Sequence, residues 1–535
     1  MATGSDTAGA AEPATGPARD PAAPGALNEP LSVAAERWGD RVAVRDGDTD
    51  RTFAELDTWS RRFAALLRDR GVRPGDRVAV RTANRVEFLV AVQAVSRAGA
   101  AAVLLSPAWR EVEIDHALAL TAPSHAVLDD VDAGLVATRL GAAAVTDLDR
   151  LPALPGPDHA PDVPVDPSDD AVLVFSSGTT GLPKAVRHTH ASLRVAARQW
   201  RTALGLGPDD RFQVATPPSH ILGLLNLLAA IEAGSTVWLH RRFDLGTELR
   251  TIEAERMTLE MAVAPIALAM ANLPDLEAHD LSSLRYVMWC ATPVAAEVAE
   301  EITARTGVPV MSAYGASEVP VLTSHPVASP TEWRLDSPGR PPAGVELRVV
   351  DLDTGEVVEG GVGEIEARSG AAMAGYLPDD ANAVAFHDGW FRTGDVGRID
   401  DDGWVQLTDR AKEMVKVSGF QVAPAEVEAV LLAHPAVLDG AVFGVPDERT
   451  GEATVAAVQL DPAADVGADE LRALVAARLA TYKVPRDVVV VDAVPRLPSG
   501  KALRRELRAR WLSGELAATG AEAPPPTDDP APPRP

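Results

Sequence analysis

One cysteine, Cys290, occurs in 535 residues. A disulfide framework and a cysteine-rich metal site are therefore excluded. The eleven histidines make no H-x-x-x-H or Cys/His ligand cluster, so a structural zinc is not expected. Uncharged apolar runs fall short of the ~18 residues that a membrane span requires. Positive charge is scarce: 50 Lys and Arg face 77 Asp and Glu, for a net charge of −27 and a pI near 4.8. So acidic a chain is a poor general partner for nucleic acid or an anionic membrane. The start carries Asp6 and Glu12 and has no apolar stretch of the secretory kind. These absences predict a soluble cytoplasmic protein with neither nucleic acid nor membrane as partner.

What is present needs more than one core. The length exceeds a single domain, and 46% hydrophobic residues supply the interiors. Residues 1–28, rich in Ala, Gly and Pro, and residues 516–535, rich in Pro, read as disordered tails. Order is expected from about Leu31. Thr52 to Glu55 spells a capping box, followed by Leu56, Trp59, Phe63 and Leu66 at helical spacing, with Gly71 suited to the helix end. A strand at 77–80, a helix at 86–97 and a strand at 102–105 follow. Such alternation predicts an α/β fold with a mostly parallel sheet.

One stretch organises the rest: Ser176-Ser177-Gly178-Thr179-Thr180-Gly181-Leu182-Pro183-Lys184. The run Ala171 to Phe175 before it is apolar at every position, as in a strand buried on both faces. Glycines let backbone N–H groups turn toward a ligand, hydroxyls add donors, and the lysine adds a point charge. The combination suits phosphate oxygens. It is not a Walker A loop, because only Thr179 and Thr180 separate Gly178 from Gly181. A helix over 192–200 is expected after the loop, its N-terminal dipole available to the phosphate site.

This string resembles the phosphate loop of the adenylate-forming superfamily, which holds acyl- and aryl-CoA ligases, peptide-synthetase adenylation domains and luciferases. Further motifs follow in that superfamily's order from about Leu31 to Leu512. Pro217 to Gly223 matches a Pro-x-x-His-x-x-Gly pattern whose histidine, here His220, lines the carboxylate pocket. Trp289-Cys290-Ala291-Thr292-Pro293 stands where Ser-Gly-Ala/Gly-Ala-Pro is usual, and Ala291, Thr292 and Pro293 would wall the nucleotide. Side chains at Trp289 and Cys290 in place of Ser and Gly are expected to narrow the pocket toward a short or flat acid. Tyr314-Gly315-Ala316-Ser317-Glu318 resembles Tyr-Gly-x-Thr-Glu. Its Tyr314 offers a flat face for adenine, and Glu318 is a hard oxygen ligand for Mg2+. Asp395, in Trp390 to Asp395, offers two acceptor oxygens to the ribose diol. Asp409 to Lys416 resembles the interdomain hinge, with Arg410 on the nucleotide and Lys412 at the pivot. Phe420 to Glu426 looks closest to plant-type aryl-CoA ligases such as 4-coumarate–CoA ligase. Pro495 to Lys501 resembles the closing Pro-x-x-x-x-Gly-Lys, making Lys501 the matched catalytic lysine.

The resemblance implies a large N-terminal α/β domain with mostly parallel sheets, residues 29–409. A small mobile C-terminal α+β domain, residues 410–515, would follow a hinge at about 409–412. It implies an enzyme, an AMP-forming acid–thiol ligase, with ATP, Mg2+ and the co-substrate CoA. A small carboxylic acid, aryl or short acyl, would be converted to acyl-AMP with pyrophosphate release and then to a thioester. Lys501, His220 and Thr180 would be catalytic. Ser176 to Gly181, Lys184, Tyr314, Gly315, Ser317, Asp395, Arg410 and Lys412 would hold the nucleotide, and Glu318 the metal. Other acceptors fit the same motifs: an acyl carrier protein acting in trans, or an amine. So does activation of a non-carboxylate oxyanion such as nitrite. Retention of Glu318, Asp395, Arg410 and Lys501 argues against a catalytically dead binding protein.

Overall fold

The computed structural model describes residues 25–47, 49–149, 162–176, 183–290, 294, 296–352, 354–410, 413–417, 420–447, 449–464, 466–479, 481–496 and 501–516. A large N-terminal and a smaller C-terminal domain, both mixed α/β, make up the chain. Seven strands form the first sheet, in the order Gly375–Leu377, Lys184–Thr189, Asp170–Ser176, Ala101–Leu104, Arg77–Arg81, His125–Leu128, Val145–Asp147. The last five run parallel, Lys184–Thr189 runs antiparallel to them, and Gly375–Leu377 runs antiparallel to Lys184–Thr189.

A second sheet holds Thr49–Thr52, Val42–Asp46, Thr236–Leu239 and Arg211–Val214. A third holds Glu260–Val263, Val287–Cys290, Val310–Tyr314 and Thr323–Ser324, and a parallel bridge from Phe212 to Leu259 joins these two. Helices Phe53–Asp69, Val86–Arg97, His190–Leu204 and Ile221–Ala233 share one core with all three sheets. The first helix carries the expected capping box at Thr52 and Glu55. Strand Asp170–Ser176 is buried on both faces: Val172 and Val174 enter that shared core, and Leu173 enters a second one.

An antiparallel sheet of Val345–Val350, Gly363–Ser369, Trp390–Ile399, Phe386–His387 and Val405–Arg410 completes the N-terminal part. The C-terminal sheet is built from Phe420–Val422, Val415–Val417, Gly451–Leu460 and Val437–Asp447, with Asp487–Val490 parallel to Gly451–Leu460. Among the described residues, no helix is long and apolar enough to cross a membrane.

Three expectations need correcting. The packed chain begins upstream of Leu31: Leu27 and Asn28 are buried, and the Leu27 N–H donates to His190 Nδ1 at 3.1 Å. The helix after the phosphate loop is His190–Leu204, and strand Lys184–Thr189 precedes it. Register pairs Ser176 with Lys184 but Asp170 with Thr189, so the helix starts at the opposite end of the strand. Five steps of ~3.3 Å put its N-terminus about 17 Å from Lys184, too far for its dipole to act on the loop. Finally, Trp289 and Cys290 close strand Val287–Cys290, and their side chains do not share a face. Trp289 points into an outer core with Leu249, Ile252 and Ile266, while Met288 and Cys290 join the central core. Trp289 is therefore a structural side chain and does not narrow a pocket on the Cys290 face.

Candidate active site

The described ends of the phosphate loop, Ser176 and Lys184, are register partners on adjacent antiparallel strands. Ser177, Gly178, Thr179, Thr180 and Gly181 lie outside the described residues, as do Ala291, Thr292, Pro293 and Lys412. Lys184 sits over the ring of Tyr376, its ammonium 5.1 Å from the centroid.

Tyr314 ends strand Val310–Tyr314, and the chain doubles back at once. Ala316 N–H donates to the Val319 carbonyl at 3.0 Å, and Leu322 N–H to the Tyr314 carbonyl at 2.9 Å. Gly315 permits this turn, because a Cβ there would lie 2.0 Å from the Pro320 carbonyl oxygen. Ser317 and Glu318 sit on the turn. The Glu318 carbonyl accepts from Met373 N–H at 2.8 Å, and the Ser317 carbonyl lies 2.7 Å from His188 Nε2. Burial pushes the His188 imidazole down to about 4, so it is neutral at pH 7 and donates from Nε2. The phenol of Tyr376 donates to Glu318 Oε1 at 2.6 Å.

The tyrosine–aspartate pair is direct. Tyr314 Oη donates to Asp395 Oδ2 at 2.5 Å, and Asp395 is 7% exposed. The Asp395 N–H is held by Thr393 Oγ1 at 3.0 Å, and the Thr393 hydroxyl donates to the Ile365 carbonyl at 2.6 Å. Arg410 is the cross-strand partner of Asp395. One strand pair thus sets both residues beside the Tyr314 turn.

His220 caps helix Ile221–Ala233, its Nδ1 accepting from Leu222 N–H at 3.3 Å. Burial lowers its pKa below the usual histidine value, so the neutral ring carries its proton on Nε2. The glycine of the motif has a steric cause: a Cβ on Gly223 would meet the Pro217 carbonyl oxygen at 2.4 Å. His220 is therefore a hydrogen-bond donor, not a cation. Ile221 and Leu224 belong to the same central core as Cys290 and Ala313.

Lys501 is placed 3.7 Å from Glu413. Arg504 also reaches Glu413, and pairs with Glu428 at 2.7 Å and Asp409 at 3.8 Å. Sequence reasoning missed Tyr376 and His188. Tyr376 is one of only four tyrosines in the chain, a rarity that flags each of them.

A two-domain α/β chain with a hydroxyl- and glycine-rich sequence joining two paired strands, and a tyrosine–aspartate pair at the turn that bears Glu318, has the architecture of the adenylate-forming enzymes. The AMP-binding enzyme family model matches residues 31–377, and the AMP-binding enzyme C-terminal domain model matches residues 426–501. The chain belongs to this family, the class of the AMP-forming acid–thiol ligases. 4-Coumarate–CoA ligase 5 of Oryza sativa subsp. japonica is 37% identical over 499 residues, covering 89% of this chain and 92% of that relative. The structure of ATP-bound MatB from Rhodopseudomonas palustris superposes with a TM-score of 0.85 at 28% identity, over 91% of this chain and 99% of that one. The amide bond synthetase McbA from Marinactinospora thermotolerans gives a TM-score of 0.82 at 31% identity, over 90% and 99%.

Proposed function

We propose that this protein adenylates an aryl or short-chain carboxylic acid with ATP, releasing pyrophosphate, and then transfers the acyl group to CoA. The observation that carries the reading is the Tyr314–Asp395 pair, set on the turn that bears Glu318 and backed by the Lys184 strand. Similarity to 4-coumarate–CoA ligase 5 supports an aryl acid and CoA.

A carboxylate is a poor acyl donor, since its leaving group would be an oxide. Attack of its oxygen on the α-phosphate makes a mixed anhydride and expels pyrophosphate. Two anions must meet, so cations and donors placed in advance lower the barrier. The Tyr314 ring would stack on adenine, and Asp395 and Arg410 would hold the ribose and nucleotide. The loop from Ser176 to Gly181, with Thr180, and Lys184 would take the β- and γ-phosphates. His220 would donate from Nε2 to the substrate carboxylate. Lys501 would reach between carboxylate and α-phosphate. The second step needs Lys501 out and the thiol in, so the C-terminal domain would turn about a hinge at residues 409–412.

Glu318 fits Mg2+ in one respect that the structure supplies. Its carboxylate is a hard oxygen donor with Oε1 held by the Tyr376 hydroxyl at 2.6 Å, and Mg2+ commonly takes one or two carboxylates plus substrate phosphates. Bound there, the ion would neutralise phosphate charge.

The test is pyrophosphate release from ATP across a panel of aryl, short and long acids, with and without CoA, the products read by mass. Acyl-CoA from one acid class confirms the reading. Acyl-AMP that accumulates whatever CoA is supplied overturns the acceptor and keeps the adenylation. Similarity to McbA favours a second acceptor, an amine, so an amine arm belongs in the same panel. Absence of release from every carboxylic acid in the panel defeats the proposal.

A further inference from the structure

Tyr376 touches both ends of the phosphate chemistry and belongs to none of the motifs above. Its ring lies under the Lys184 ammonium, 5.1 Å from centroid to Nζ, and its hydroxyl donates to Glu318 Oε1 at 2.6 Å. The residue is 9% exposed and fixed from behind. Its strand, Gly375–Leu377, pairs antiparallel with the Lys184 strand, Tyr376 facing Val186. Asn382 clamps its backbone twice, Oδ1 accepting the Tyr376 N–H at 2.7 Å and Nδ2 donating to the Tyr376 carbonyl at 3.2 Å. The phenol is thus held in place by the sheet and the clamp together.

We infer that Tyr376 is a positioning residue that sets Lys184 and Glu318 at the spacing one metal–triphosphate requires. The inference rests on Glu318 as the metal carboxylate. A phenol hydrogen bond to Oε1 fixes the carboxylate's rotation and leaves Oε2 to act as the metal ligand. The same ring holds the lysine cation by its electron-rich face. The two contacts can be removed separately: Phe keeps the ring and loses the hydroxyl, and Leu loses both. Outer-shell partners of metal-binding carboxylates commonly matter in this way.

The test compares Tyr376→Phe and Tyr376→Leu with the unaltered full-length protein. Mn2+ bound with a non-hydrolysable ATP analogue is read by electron paramagnetic resonance, and binding of the analogue alone, in EDTA, by calorimetry. Tyr376→Phe should weaken Mn2+ binding about 10- to 100-fold and leave metal-free nucleotide binding unchanged. Tyr376→Leu should weaken both. Unaltered Mn2+ affinity in Tyr376→Phe overturns the proposal. Equal loss of metal-free nucleotide binding in Tyr376→Phe overturns it too, since that marks a general structural defect. Glu318→Gln separates the layers. If it also leaves Mn2+ affinity unaltered, Glu318 is not the metal carboxylate and the reading beneath has failed. If it weakens Mn2+ and Tyr376→Phe does not, only the positioning role has failed.

Discussion

Individual side chains in this protein carry work according to what each can hydrogen-bond. Asp395 offers two acceptor oxygens, and Tyr314 already uses one of them. Asp395→Asn keeps the shape but replaces a charged acceptor by an amide. Loss of charge-assisted bonds to a ribose diol predicts an ATP KM raised about 10- to 100-fold, with the KM for the acid nearly constant. Steady-state pyrophosphate release at varied ATP and fixed acid measures this; an unshifted ATP KM would sink the assignment. Lysine usage reinforces the site reading at the same scale. Only five of the fifty basic residues are lysines: Lys184, Lys412, Lys416, Lys483 and Lys501. A compact ammonium and a planar guanidinium are not interchangeable, so a chain that otherwise uses arginine keeps lysine where the smaller point charge matters. Two of the five, Lys184 and Lys501, end the motifs proposed to serve phosphate chemistry, and two, Lys412 and Lys416, lie in the stretch proposed as the hinge.

Elements show where sequence reading succeeds and where it stops. The capping box at Thr52, the both-face burial of Asp170–Ser176 and the turn at Gly315 are local, and local residues dictate them. The face Trp289 takes is not legible locally, because Val287, Met288, Trp289 and Cys290 are all apolar and no polar alternation marks which of them points outward. The helix dipole was misassigned because nothing local says that residues 184–189 pair back on the preceding strand. Tyr376 and His188 meet Glu318 and Ser317 across 58 and 129 residues, beyond any periodicity. A buried acid pair was equally invisible. Glu248, on helix Leu245–Glu255, and Glu260, on the third sheet, are each 2% exposed. Gln213 donates to Glu260 Oε2 at 2.7 Å, whereas neither oxygen of Glu248 has a hydrogen-bond partner among the described residues. Burial above all, and for Glu248 the charge of Glu260 as well, pushes both carboxyls upward. Folding therefore retains protons that the unfolded chain releases. Their contribution to stability is full below the ordinary carboxylate range and is lost as pH rises from there toward the raised values. Glu248→Gln supplies a neutral near-isostere, so its melting temperature should fall less than that of the unaltered protein between about pH 5 and pH 8. Parallel melting curves across that range would refute the account.

At the scale of the whole molecule the proposed two-step reaction would turn one domain against the other, and charged side chains gather where the two domains join. Asp409 accepts the Ala425 N–H at 2.9 Å, at the start of helix Pro424–Leu432, so the last N-terminal strand is tied to the C-terminal domain. Arg504 gathers Asp409, Glu413 and Glu428, and Lys501 stands 3.7 Å from Glu413. The lysine proposed to serve adenylation is thus coupled to residues beside the proposed pivot. Rotation would change its partner from Glu413 to the reacting phosphate without any covalent step. Two variants should separate the half-reactions. Lys501→Ala should lower acyl-AMP formation by roughly 10²–10³-fold, the usual cost of one lost charge-stabilising group, and still make thioester from supplied acyl-AMP. Lys412→Pro fixes one backbone dihedral at the pivot, so it should spare acyl-AMP formation and slow thioester formation. Single-turnover assays of each half, with acyl-AMP supplied for the second, read both. If Lys501→Ala loses both halves equally, the lysine is not confined to adenylation. If Lys412→Pro makes thioester at the normal rate, the two steps share one arrangement of the domains, and the linker charges serve only to hold it.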